Sequence, residues 1–185
     1  MINEITLISQ YFPPENGAAA ERMGSFAHYL HKYCELEIVT AQPLHMMLTG
    51  SKQQSEYPFK IVRLPHKKKS SKSKYMRLMH EISFALKATK YLYQRAGRSL
   101  LLFTTPSPFL ALVALLFKKY TNRCYVLDIR DLYPEVIADV GIVSKNNPIY
   151  ILASSVMNLA YKNASLLSFV NKKWSDHMIN SNPNS

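Results

Sequence analysis

The densest group of reactive side chains in this sequence is Asp128-Ile129-Arg130-Asp131-Leu132-Tyr133-Pro134-Glu135. It sets a cation, carboxylates and a phenol close together, just past a short apolar run. Asp131 and Glu135 have the chemistry of a general base, of acceptors for sugar hydroxyls, or of anchors at a helix N-terminus. The same residues also suit a salt-bridged turn in which Asp131 caps the helix that Pro134 opens. A second group is Tyr11-Phe12-Pro13-Pro14-Glu15-Asn16-Gly17, followed by Ala18-Ala19-Ala20 and a helical spacing of Met23, Phe26, Ala27 and Leu30. The two prolines forbid both a strand ladder and an interior helix turn. The pattern is strand, glycine-bearing loop, helix N-terminus. Unpaired N–H groups and the positive dipole end suit an anionic or polar ligand there. An ordinary α/β connection is the alternative.

Several standard sites are absent. No G-x-G-x-x-G follows the first apolar run, and the second run ends in Thr40 rather than an acid, so a dinucleotide fold lacks its ribose ligand. Gly50-Ser51-Lys52 has the wrong spacing for a phosphate-loop lysine, and no G-x-S-x-G elbow occurs. The 6 histidines make no metal-ligand pattern; His28 and His31, three apart on a helix, have no carboxylate to complete a set and read as surface residues. Neither a metal nor a cofactor is expected. Cys34 and Cys124 lie in apolar sequence, far apart, and read as reduced and buried, which fits a cytoplasmic protein.

The elements that must position these groups alternate. Strands are expected at Ile5–Ser9, Leu36–Thr40, Phe59–Leu64, Leu100–Thr104, Tyr125–Ile129 and Ser165–Val170. Helices are expected at Ala18–Lys32, Tyr75–Gln94, Phe109–Tyr120, Pro134–Ala138, Asn147–Lys162 and Lys172–Asn180. In the helix from Tyr75, the residues Tyr75, Leu78, Met79, Ile82, Ala85, Leu86, Thr89 and Leu92 or Tyr93 form the stripe expected to face the sheet. Short apolar strands alternating with helices imply an α/β fold, a Rossmann-like doubly wound parallel sheet covered on both faces. Ligands then sit at the carboxyl ends of strands, in the loops Gln10–Gly17, Ala41–Leu44, Thr104–Pro108, Arg130–Gly141 and Asn171–Ser175.

At 185 residues and 48% hydrophobic, the chain fits one domain with a sizeable core. The net charge of +11 is local: 12 Lys and Arg lie between Lys60 and Arg98, against the single acid Glu81. Lys67, Lys68, Lys69, Lys72 and Lys74 form a low-complexity basic run. Such a patch attracts anionic lipid, nucleic acid or phosphorylated substrates; a merely solvated face is the alternative. Nucleic acid is disfavoured, because few aromatics interleave with the basic run. No signal peptide is expected at the start. Leu100–Phe117 is long enough to span a membrane, but Thr104-Thr105-Pro106-Ser107-Pro108 breaks it, so a buried strand, loop and helix are expected instead.

The opening YFPPENGAAAER resembles the first strand–loop–helix of family 4 glycosyltransferases of the GT-B fold. Thr104 to Pro108 with its following helix resembles them too. Asp128–Glu135, with Val140-Gly141 beyond it, looks like the aspartate–leucine–tryptophan–proline–glutamate segment of bacterial members that build surface polysaccharides. The resemblance runs from about Ile5 to Met178, with Tyr133 in place of the tryptophan and Ala18 in place of the second glycine of the first loop. It implies a sugar transferred from a nucleotide-sugar donor to a saccharide or polyprenyl-linked acceptor at the inner face of the cytoplasmic membrane, with no bound metal. The candidate catalytic residues are then Asp131, followed by Glu135. Glu15, Asn16, Gly17, Arg22, Arg130 and Tyr133 are the candidate substrate-binding residues, and Lys67, Lys68, Lys69, Lys72 and Lys74 the membrane-surface residues. The resemblance also implies a second, donor-binding domain, so residues 1–185 read as one acceptor-side domain that should not transfer sugar alone. A non-enzymatic binding module, or partner subunit at a membrane surface, is the other reading.

Overall fold

The computed structural model describes residues 3–43, 57–65, 74–95, 97, 99–104, 108–141 and 143–181. The strands are β1 (Glu4–Ile8), β2 (Glu35–Ala41), β3 (Lys60–Leu64), β4 (Leu100–Thr104), β5 (Tyr125–Ile129) and β6 (Leu166–Phe169). The helices are α1 (Ala18–Leu30), α2 (Lys74–Gln94), α3 (Pro108–Thr121), α4 (Glu135–Asp139), α5 (Pro148–Asn163) and α6 (Lys172–Ser181). The sheet is parallel, in the order β3-β2-β1-β4-β5-β6, a Rossmann-like doubly wound arrangement. The expected element types hold along the described chain, with ends shifted by a residue or two. Residues 105–107, in the break of the most hydrophobic segment, lie outside the described residues. Among the described residues no helix is long and apolar enough to cross a membrane. The chain parts into two compact units, residues 1–100 and 101–185.

In the first unit, β1 and β2 run in register from Glu4 with Glu35 to Ile8 with Val39, and β2 pairs β3 from Glu37 with Lys60. Leu7, Ile8, Ile38 and Val39 are buried, and α1 adds Met23 and Ala27 to the core. A carboxylate is buried with them. Glu37 is 3% exposed, and its Oε1 accepts from the Tyr91 hydroxyl at 2.9 Å and pairs with Lys60 Nζ at 2.9 Å and with Arg95 Nη1. Arg95 also reaches Glu4 Oε1 at 3.0 Å. The hydrogen bond to Glu37 raises the Lys60 ammonium above its usual range. β1, β2, β3 and the end of α2 are thus fastened at one buried charge.

The phase of α2 differs from expectation. Its buried residues are Phe84, Ala85, Ala88 and Leu92, whereas Leu78, Met79, Leu86 and Tyr93 are exposed. Of the expected stripe, among the residues whose burial is described, only Ala85 and Leu92 are buried. Apolar side chains occur on both sides of this helix, so hydrophobicity alone leaves the rotation undefined.

In the second unit, β5 is wholly buried and pairs β4 from Leu101 with Tyr125 and β6 from Val126 with Leu166. α3 and α5 pack together, and Leu110, Ala114 and Phe117 of the one and Met157 and Ala160 of the other are buried. The Tyr125 hydroxyl, fully buried, donates to Ala160 O at 2.6 Å. Asn122, at φ 53, ends α3 in the left-handed conformation that asparagine tolerates. Asn147 caps α5 by accepting from Ile149 N at 2.8 Å, and Pro148 occupies the first turn. The cysteines are free, as expected, but not buried. Cys34 is partly exposed in the turn before β2 and Cys124 is exposed just before β5; each falls in a connection, where flanking apolar sequence no longer means burial.

Removing one partner of a buried ion pair strands the other, whereas an exposed pair is screened by water. Arg95→Ala is therefore expected to cost about 2 kcal/mol in urea unfolding, while Lys145→Ala, which breaks the exposed pair with Asp139 at 3.6 Å, should fall within about 0.5 kcal/mol of wild type. Burial pushes the Tyr125 phenol from 10.0 up to about 12. Its contribution is complete below pH 10, because both states keep the proton there. Above pH 10 only the unfolded chain sheds it, so stability should fall by about 1.4 kcal/mol per pH unit on this account until the folded phenol also titrates. Unfolding followed from pH 9 to 12 should show that slope reduced in Tyr125→Phe.

Candidate functional site

Two loops follow carboxyl ends of strands and carry the expected site residues, one in each unit. In the first unit β1 ends in a polar segment pinned from beneath. Ser9 N donates to Val39 O at 3.0 Å, Ser9 Oγ to Tyr11 O at 2.8 Å, and Thr40 Oγ1 to Gln10 O at 3.4 Å. Phe12 is 1% exposed and meets the rings of Tyr57 and Phe59 edge-on, at 5.8 and 6.3 Å. His28 and His31 lean on the same cluster: His28 is 5.4 Å from Phe59 and 5.6 Å from Tyr57, and His31 is 5.9 Å from Phe59. Both lie at the surface, as expected, but they also form the outer wall of an aromatic anchor.

The chain then passes through Pro13 and Pro14, joined by a cis peptide, to Gly17. Gly17 sits at φ 133, a conformation that side-chain-bearing residues avoid, although nothing lies within 4 Å of where a Cβ would be. It caps α1 by its carbonyl, which accepts from Ala20 N and Glu21 N at 3.0 and 3.1 Å, and no side chain caps the helix. The first N–H groups of α1 thus open beside exposed Asn16 and Ala18, with Glu15 and Arg22 half-buried nearby in sequence. Glu21 already places a negative charge in this first turn.

Two residues missed in the sequence hold the loop in place. Gly24 has no room for a side chain, since a Cβ would stand 2.8 Å from Pro13 Cγ. Its signal is a lone glycine inside a helical pattern, one turn below the proline-rich loop. Arg63, half-buried on β3, donates from Nη2 to Pro13 O at 2.6 Å. Desolvation lowers its pKa, opposed by the charges of Tyr57 and Glu15. Its buried Nη1 has no hydrogen-bond partner among the described residues. A guanidinium tied to the loop backbone by one nitrogen can offer the other to a polar ligand.

In the second unit Asp128, next to last in β5, is 1% exposed and accepts from Ser168 Oγ of β6 at 3.3 Å. Arg130, Asp131, Tyr133 and Glu135 follow, all half-buried, around a cis Tyr133–Pro134 peptide. Pro134 itself is the N-cap of α4, with no side-chain cap, and Val136 N donates to Leu132 O at 3.0 Å. Capping by Asp131 is therefore set aside: the backbone carbonyl of Leu132 takes that place, leaving the carboxylate of Asp131 for other use. Arg130 and Tyr133 are engaged in contacts of their own. Gly141, at φ 71, closes the segment with its N–H on Ala138 O at 2.9 Å.

Tyr161 of α5 stands behind this loop, 7% exposed. Burial first, and then the negative charge of Glu135, raise its phenol pKa, against a smaller pull from the Tyr133 main chain. The Tyr161 hydroxyl thus holds its proton behind this loop, near the Glu135 side chain. Its sequence signal was only the helical spacing of Met157, Ala160 and Tyr161. Of the remaining candidates, Lys67, Lys68, Lys69 and Lys72 lie outside the described residues, as do Leu44 and residues 105–107; Lys74 opens α2. Among the described residues no cluster of three or more His, Cys, Asp and Glu is placed to hold a metal ion.

Gly24→Ala should displace Pro13 and with it the loop, costing about 1–3 kcal/mol by overpacking. Gly17→Ala should cost a comparable amount by backbone strain alone, leaving Pro13 in place. Amide chemical shifts of the loop and of α1 distinguish the two, because only the first should move the signals around Pro13. No protein-family model and no curated protein matches this chain.

Proposed function

We propose that this chain supplies the acceptor side of a sugar transferase, which moves a sugar from a nucleotide-sugar donor to a saccharide or polyprenyl-linked acceptor in cell-surface polysaccharide synthesis. The observation that carries this reading is the β5 loop. It presents two half-buried carboxylates, Asp131 and Glu135, at the carboxyl end of a parallel strand, where α/β sheets bind ligands. The motif order of the two loops along the chain supports it as well. In such a transfer a bond forms between an acceptor hydroxyl oxygen and the anomeric carbon, and the bond from that carbon to the donor phosphate breaks. Asp131, freed of a capping role, accepts the proton of the attacking hydroxyl or orients it. Glu135, whose charge reaches the Tyr161 phenol, fixes a second hydroxyl. In the first unit, the open N-terminus of α1 and the Nη1 of Arg63 offer donors to polar groups.

Calorimetric titration of the chain with a water-soluble short-chain polyprenyl diphosphate monosaccharide is the direct test. Binding should be detected, and Asp131→Asn and Glu135→Gln should each weaken it by about tenfold, the loss of one charged hydrogen bond. Unchanged binding in both variants would reduce the loop to scaffolding and favour a non-enzymatic module.

A further inference from the structure

We infer that the outward face of α2 docks on an anionic lipid bilayer, with Met79, Leu86 and Tyr93 as the residues that enter it. The inference goes beyond the sugar-transfer reading and does not depend on it. These three side chains are 41%, 66% and 76% exposed, and Leu78 beside them is 44% exposed. They recur every seven residues, so on a helix turning 100° per residue they fall within about 20° of one line, some 21 Å long. Ile82, half-buried, and Lys90, exposed, flank that line. Their exposure does not come from loose packing. The opposite side of the helix is anchored by Phe84, Ala88 and Leu92, each at most 1% exposed, and the helix end is tied through Tyr91 to Glu37.

Charge decides what can cover such a row. The only acid in α2 is Glu81, which lies about 140° round the helix from Leu86 and is half-buried. Lys60 and Arg95 are committed to Glu37, and Lys87 Nζ to Pro65 O. Lys90 borders the apolar row with no acid of α2 beside it, in a stretch of sequence where cations outnumber acids twelve to one. A second copy laid on this face would set lysine against lysine. An anionic leaflet instead meets the cations with phosphates and accepts the apolar row just beneath, with the Tyr93 ring at headgroup depth. The helix lies in the plane of the interface and does not cross it.

Co-sedimentation of the chain with vesicles tests this. Binding should be strong to vesicles with 30% phosphatidylglycerol, at least tenfold weaker to phosphatidylcholine alone, and weakened at least tenfold by 0.5 M salt. The pair Leu86→Ser with Tyr93→Ser, both at exposed positions, should lower binding to the anionic vesicles at least tenfold with the thermal midpoint retained; Lys90→Glu should lower it less. Equal binding to neutral and anionic vesicles would overturn the proposal. So would unchanged binding in the paired variant, or a dimer in light scattering that the same pair converts to monomer. No sugar enters the assay, so its failure and that of the sugar-transfer reading are distinguishable.

Discussion

One buried carboxylate organises the first unit. Glu37 sits in β2, between β1 and β3, at 3% exposure, and a lone charge there would be costly. Its compensation comes from Lys60 at the start of β3, from Tyr91 on α2, and from Arg95 just beyond, which reaches on to Glu4 at the start of β1. Glu4, Glu35 and Lys60 are all first residues of their strands. The strands are thus locked together near their amino ends by charge. Their carboxyl ends are left to loops, where no comparable constraint operates and where a ligand can be received.

The consequences run both ways along the strands. At the carboxyl side the loop after β1 is held by softer means: an aromatic cluster around Phe12, the Arg63 bond to the Pro13 carbonyl, and Gly24 giving Pro13 room. The second unit uses neutral contacts in the corresponding places. The Tyr125 hydroxyl ties β5 to α5 at the amino end of the strand, and Ser168 binds Asp128 near its carboxyl end. In both units the rigid part is the strand, and the reactive residues hang from its end. This is the arrangement that places side chains within a fraction of an ångström without freezing the ligand's entry.

Much of this was legible in the sequence, for physical reasons that differ by element. A strand such as Leu100–Thr104 is a short apolar run bounded by polar residues, so its type and its limits are both written locally. The two loops were legible because proline and glycine punctuate them. What was not legible depends on partners distant in sequence. Nothing around Glu37 says that it is buried, because its three compensating groups come from β3, α2 and the turn after it. Arg63 looks like one more member of a basic stretch until β3 carries it under Pro13. Asp131 reads as a cap until the carbonyl of Leu132 is seen in that role. The cysteines mislead in the opposite sense, since apolar neighbours in sequence do not bury a residue that falls in a connection.

The rotation of α2 shows how these levels join. Its sequence is apolar on both sides, so two rotations satisfy the hydrophobic pattern almost equally. What separates them is the demand of Glu37 for partners, which requires Tyr91 to point inward. Tyr91 is 140° from Leu86 and only 20° from Phe84 on an ideal helix, so turning Tyr91 inward carries Phe84 and Ala88 inward with it and carries Met79, Leu86 and Tyr93 outward. A buried charge on β2 thereby exposes an apolar row on a helix, at a local cost that hydrophobic burial alone would have avoided. A fold that tolerates such a row has kept an amphipathic face on α2, and the proposed docking to an anionic surface rests on that face.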